Sequence, residues 1–164
     1  MYENDLSILF RVALASVLSG ILGWERESSG KSAGLRTHIL VGISAVLFIT
    51  ISDTLIQNYR VYDATMRFDP VRVVEAIVTG ISFLGAGIIV FRRGENSVKG
   101  LTTAAGILTT AAIGVLVGLN RFFLSITATV LVFIVLRFVS VFEKKFLEPA
   151  KKHHDTDSAE KDAG

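Results

Sequence analysis

Besides Arg137, which lies near the end of its run and snorkels to the headgroups, three ionisable side chains, Arg11, Asp53 and Glu75, lie inside otherwise apolar runs of this 164-residue chain. A charge at the centre of a bilayer costs about 2.5–3.5 kcal/mol on insertion scales, so each needs a partner or a purpose. If the runs that carry them cross a membrane in alternating directions, all three fall at a similar depth in one leaflet, with Arg72 at the rim. One guanidinium then meets two carboxylates and leaves a negative charge over. Two readings of this intramembrane cluster stay open: a structural ion pair with snorkelling ends, or a proton or cation site open to the outside. Thr79 and Ser82 continue the Glu75 face at i+4 and i+7 and draw a polar track inward.

Other chemistries fall away by residue type. The chain has no Cys, which excludes a disulfide scaffold, a thiol nucleophile, an iron-sulfur cluster and a thiolate zinc site. Of its three His, two are adjacent in the C-terminal tail, so no multi-histidine metal site is available within one chain. With no nucleophile motif either, the expectation is a protein that is not an enzyme and carries no cofactor. Gly30-Lys31-Ser32 imitates the end of a phosphate-binding loop, but the earlier glycine of that motif would fall at position 25, which is Glu, and no buried strand precedes it. Arg36 and His38 stand at the start of the second apolar run, and Lys99, Thr102 and Thr103 at the start of the fourth. With two helix N-termini these groups either hold an anion such as a lipid phosphate or simply set topology. A net charge of +2 is too small to point to nucleic acid.

The elements that would position these residues are membrane helices. Mean hydropathy is +0.54 although 20% of residues are charged, because half of residues 143–164 are charged and the rest of the chain is very apolar. About 30 Å of hydrocarbon needs about 20 residues of helix. Five runs qualify: Leu6–Gly23, His38–Ile56, Val73–Phe91, Leu101–Leu119 and Phe122–Phe142. The leader before the first run holds Glu3 and Asp5 and no basic residue, the wrong sign for a secretory signal, so this run is expected to be a permanent helix. Arg26, Lys31, Arg36, Arg92, Arg93, Lys99 and the tail lysines fall on one side, against Arg60, Arg67, Arg72 and Arg121 on the other. The positive-inside rule then puts the N-terminus outside and the C-terminus in the cytoplasm. The expected architecture is an all-α, polytopic bundle of about five transmembrane helices over residues 1–142, followed by a charged, disordered cytoplasmic tail over 143–164.

In the fourth run Thr102, Gly106, Thr110, Gly114 and Gly118 recur every four residues and form one small stripe. Such a helix belongs in the middle of a bundle. Gly80 and Gly87 give the third run a similar small face, and Gly114 and Gly118 also fit the seam of a homodimer. The fifth run, rich in Leu, Val, Ile and Phe, reads as lipid-facing.

Six segments, in order, carry a family resemblance. They are Gly20-Ile21-Leu22-Gly23-Trp24-Glu25-Arg26-Glu27, Ala33-Gly34-Leu35-Arg36-Thr37-His38, Asp69-Pro70-Val71-Arg72, Gly80-Ile81-Ser82-Phe83-Leu84-Gly85-Ala86-Gly87-Ile88-Ile89, Lys99-Gly100-Leu101-Thr102-Thr103-Ala104-Ala105 and Ala111-Ala112-Ile113-Gly114. Through them the chain resembles the MgtC/SapB family of bacterial inner-membrane proteins, in a short form without a soluble C-terminal domain. The resemblance implies a plasma-membrane location and a link to magnesium homeostasis when magnesium is scarce. For the virulence-associated branch it implies a regulator that restrains another membrane complex, such as the F-type ATP synthase, or acts on membrane potential. A partner in the bilayer, the ATP synthase or a magnesium transporter, follows from the same resemblance. The alternative is a magnesium or proton-coupled ion transporter that uses the acidic cluster. Against magnesium, the hydrated ion wants several oxygens and Arg11 would repel it. Five spans also lack the paired halves of an alternating-access carrier, which a dimer would restore.

Residue by residue, the resemblance points to Glu25, Arg26, Arg36, Thr37, Asp69, Arg72, Gly85, Gly87, Thr102 and Thr103. Asp69 has a physical reading of its own, as the cap of a helix whose first residue is Pro70, beside the reading as an ion ligand. The chain departs from the family pattern at Leu108, where the pattern has Trp, and at Thr102, where the virulence-associated form has Asn.

Overall fold

A computed structural model describes residues 2–62, 69, 71–90 and 100–146. They form five α-helices: α1 (Tyr2–Ser28), α2 (Leu35–Tyr62), α3 (Val71–Val90), α4 (Leu101–Gly118) and α5 (Phe122–Phe146). No strand occurs among the described residues. Helices α1 and α2 overrun the apolar limits read from sequence, because backbone hydrogen bonding does not stop where the hydrocarbon does. Glu143 to Phe146 likewise continue α5 rather than opening a tail. The remaining tail, 147–164, and the basic residues Arg92, Arg93 and Lys99 lie outside the described residues.

Local chemistry sets the helix ends. After α1, Gly30 takes a left-handed φ of 66°. The N–H of Lys31 donates to the Arg26 carbonyl and that of Gly30 to the Glu27 carbonyl, both at 3.0 Å, the paired bonds of a Schellman motif. Asn120, φ 60°, closes α4 in the same way, with Arg121 N–H donating to Leu116 at 2.8 Å and Asn120 N–H to Val117 at 3.0 Å. At the start of α2, the Glu27 carboxylate accepts the Leu35 N–H at 2.8 Å.

Helix α4 lies at the centre and touches each of the other four, while α2 and α3 meet only slightly. Its small residues make this possible. A Cβ on Gly114 would stand 2.6 Å from the Gly42 carbonyl oxygen, and one on Gly118 would stand 2.9 Å from Ile49 Cβ. The α1–α2 seam is as close, since a Cβ on Gly23 would stand 2.8 Å from Leu35 Cα. Around these contacts Ala15, Leu18, Leu22, Val46, Ile113 and Val117 form one buried core. Val41, Ile49, Ile77 and Ala111 form a second, which ties α3 to the bundle. Thr110 donates its hydroxyl to the Gly106 carbonyl at 2.9 Å and Thr109 to the Ala105 carbonyl at 2.8 Å, so these two hydroxyls are satisfied inside the helix.

Four helices, α1 to α4, are long and apolar enough to cross a membrane; α5 carries a shorter apolar stretch, Phe122–Phe138, among the described residues. Its Phe123, Leu124, Val130, Leu131 and Phe138 are exposed, as expected of a surface whose solvent is lipid.

Candidate functional site: a buried polar junction of α1, α2 and α4

Where α1 ends and α2 begins, polar side chains go inward. Glu25 is 4% exposed, Arg26 3%, His38 1%, Ser19 0% and, on α4, Thr103 3%. Ser19, Gly23 and Arg26 recur at i, i+4 and i+7 and so share one face of α1. Gly23 lets α2 come so near that a Cβ there would stand 2.9 Å from His38 Cβ. Gly34 is held small for a related reason, since its Cβ would stand 2.7 Å from the Glu27 carboxylate that caps α2.

The bonding inside this junction is incomplete. One Glu25 oxygen accepts the Ser29 hydroxyl at 2.9 Å, while the other, Oε2, lies 3.9 Å from Arg26 Nη1. His38 Nδ1 is 3.0 Å from the Gly34 carbonyl oxygen. A carbonyl only accepts, so Nδ1 carries the hydrogen and Nε2 of the neutral ring is a bare acceptor. That nitrogen faces α4, where a Cβ on Gly106 would stand 3.7 Å from it. Among the described residues, the buried side-chain atoms with no hydrogen-bond partner are Ser19 Oγ, Glu25 Oε2, Arg26 Nε and His38 Nε2. All four belong to α1 and α2, and Glu25 and Arg26 act electrostatically on the His38 ring. Native proteins leave few such atoms unpaired. An acid, a base and a fixed cation share this dry place, with the Ser19 hydroxyl about two turns further along α1 beside Gly42; the guanidinium makes the place hostile to a divalent cation.

The intramembrane trio read from sequence is not assembled as one cluster. Arg11 donates from Nη1 to the Gly118 carbonyl at 3.0 Å and from Nε to the Ser7 carbonyl at 3.4 Å. It thus neutralises the negative end of α4. Asp53 shares a cleft of about 440 Å³ with Arg11 and accepts a hydrogen bond from Gln57 at 3.0 Å, with no ion pair between the two. Glu75 is exposed on α3 and does not line that cleft. Equal depth is not equal direction, and the slight contact of α2 with α3 keeps the two carboxylates on separate surfaces.

The residues carried over by resemblance divide into two groups. Glu25, Arg26 and Thr103 join the junction, and His38 and Ser19, absent from that set, join it too. Arg36, Thr37 and Thr102 are exposed at the starts of α2 and α4. Asp69 caps α3, accepting the Val71 N–H at 3.0 Å, and sits 4.0 Å from Arg72 in an exposed pair; Pro70 lies outside the described residues. Gly85 packs on α4, where its Cβ would stand 3.2 Å from Ala104 Cβ, whereas at Gly80 and Gly87 a Cβ would meet nothing within 4 Å. Gly80 is therefore not a close-packing position. The signal that could have found His38 is the run of small residues Gly23, Gly34 and Gly42, which brings α1 and α2 together around it.

Comparison with known proteins gives a consistent picture. An Escherichia coli K12 protein named "Putative magnesium transporter YhiD" is 40% identical over 128 residues, covering 78% of this chain and 58% of the relative. "Protein MgtC" of Brucella abortus is 40% identical over 121 residues, 74% of this chain and 46% of the relative. "Protein MgtC" of Salmonella typhimurium is 40% identical over 124 residues, 76% of this chain and 48% of the relative. The chain thus matches about half the length of these curated relatives. No solved structure matches it. The MgtC family model matches residues 12–145, and the chain, a helical membrane protein by its spans, belongs to the MgtC family.

Proposed function

We propose that this chain is a bacterial inner-membrane regulator in adaptation to low magnesium, acting on another membrane complex such as the F-type ATP synthase or on membrane potential, and not an enzyme. The magnesium link rests on family membership and on the name of the E. coli relative. One observation supports regulation over magnesium transport: an arginine occupies each polar recess, Arg26 in the buried junction and Arg11 in the cleft beside Asp53. A fixed guanidinium at either place offsets the attraction of a single carboxylate for a divalent cation, and one carboxylate supplies too few oxygens to hold it. The proposed orientation, N-terminus outside and C-terminus cytoplasmic, sets the junction at the cytoplasmic surface.

Proton-coupled transport is the second reading, favoured by the burial of both Glu25 and His38 in the junction. Reconstitution into proteoliposomes with magnesium and pH reporters separates the two. Regulation predicts no protein-dependent flux of either ion, together with co-purification of a membrane complex from native membranes. Proton flux that disappears in Glu25→Gln supports the second reading, and magnesium flux that disappears in Glu75→Gln overturns both.

A further inference from the structure

A groove of about 520 Å³ runs between α2 and α3, walled by Thr37, Leu40 and Phe48 on one side and Gly80, Ile81 and Leu84 on the other. It exists because α2 and α3 barely touch and because Gly80 leaves open space where a side chain would stand. From Thr37 to Phe48 the groove follows α2 for about 16 Å, at 1.5 Å per residue. That is half of the roughly 30 Å hydrocarbon core, the depth of one leaflet. Both walls are candidate membrane spans, so the groove opens to lipid. An extended hydrocarbon chain of that length fits inside.

Charge at its mouth identifies the head of the guest. Arg36, next to Thr37, is exposed and has no hydrogen bond or ion pair with any described residue. It sits in the first turn of α2, at the positive end of the helix dipole, with no acidic residue in that turn. Glu27, at the end of α1, caps α2 through the Leu35 N–H and makes no ion pair with Arg36. Among the described residues Arg36 makes no ion pair, and the Thr37 hydroxyl beside it has no hydrogen-bond partner. We propose that the α2–α3 groove binds one acyl chain of an anionic phospholipid, with its phosphate at Arg36 and Thr37. Basic pockets between membrane helices recognise lipid headgroups by this combination.

The test uses the full chain in detergent, with thermal stability and native mass spectrometry read against added phosphatidylglycerol or phosphatidylcholine of the same acyl chains. Phosphatidylglycerol is expected to bind more tightly and to stabilise more. Arg36→Gln should remove that preference, a loss of about fivefold for one basic residue at the surface, while leaving chain binding to both lipids. Gly80→Leu, which fills the groove, should lose both lipids, and Ser44→Leu on the opposite wall serves if that variant does not fold. Inorganic phosphate alone should have no effect. Equal binding of the two lipids by the unaltered chain, or an undiminished preference in the filled-groove variants, overturns the proposal. So does a dimer that Gly80→Leu converts to monomer with lipid preference intact, since the groove would then be a protein seam.

Discussion

Glu25 and Arg26 are neighbours in sequence and nearly without water, at 4% and 3% exposure. Removing one leaves the other as a bare buried charge, which is far worse than removing both. Arg26→Met is therefore expected to destabilise the protein by about 3–5 kcal/mol, and Glu25→Gln with Arg26→Met together by less than the sum of the two. Unfolding in mild detergent measures this, and strictly additive losses would refute the coupling. Ser19 behaves oppositely. Its buried hydroxyl has no partner, so Ser19→Ala should be neutral or stabilising by about 1 kcal/mol; a loss of stability would mean that the hydroxyl works through water.

At the scale of the helix, two glycines that look alike in sequence separate sharply. A Cβ on Gly114 would stand 2.6 Å from a backbone oxygen of α2, whereas on Gly80 it would meet nothing within 4 Å. Gly114→Ala should cost about 1–3 kcal/mol by prying α2 from α4, and Gly80→Ala should be tolerated, since alanine favours the helix by up to about 1 kcal/mol. Comparing the thermal midpoints of the two variants checks this, and equal effects would contradict the packing described. The central place of α4 was legible from its four-residue repeat of Thr and Gly, because that period alone leaves one face without bulk. The packing at Gly80 was not legible, because period says which face a residue takes and not whether a neighbour stands there. The same gap explains the charges: Arg11, Asp53 and Glu75 share a depth, but only the rotation of each helix decides who meets whom. His38 was legible only as a group at the start of α2; its burial was not, because the charges that act on it, Glu25 and Arg26, lie across a turn.

For the whole molecule, the number and order of the helices could be read from hydropathy, and orientation is open to a direct measurement. The chain has no Cys, so single cysteines give clean reporters. Ser32→Cys, between α1 and α2, should react with an impermeant thiol reagent only from the cytoplasmic face, and Leu119→Cys, after α4, only from the opposite face. The reverse pattern would invert the proposed topology. The bond from Arg11 to the Gly118 carbonyl spans 107 positions and so has a meaning in time. At about 5–20 residues per second, roughly 5–20 s of synthesis separate the guanidinium from the arrival of its acceptor. Until then the guanidinium has its local bond to the Ser7 carbonyl and the headgroups within snorkelling reach, so the contact that fixes α1 against α4 is expected to be among the last to form.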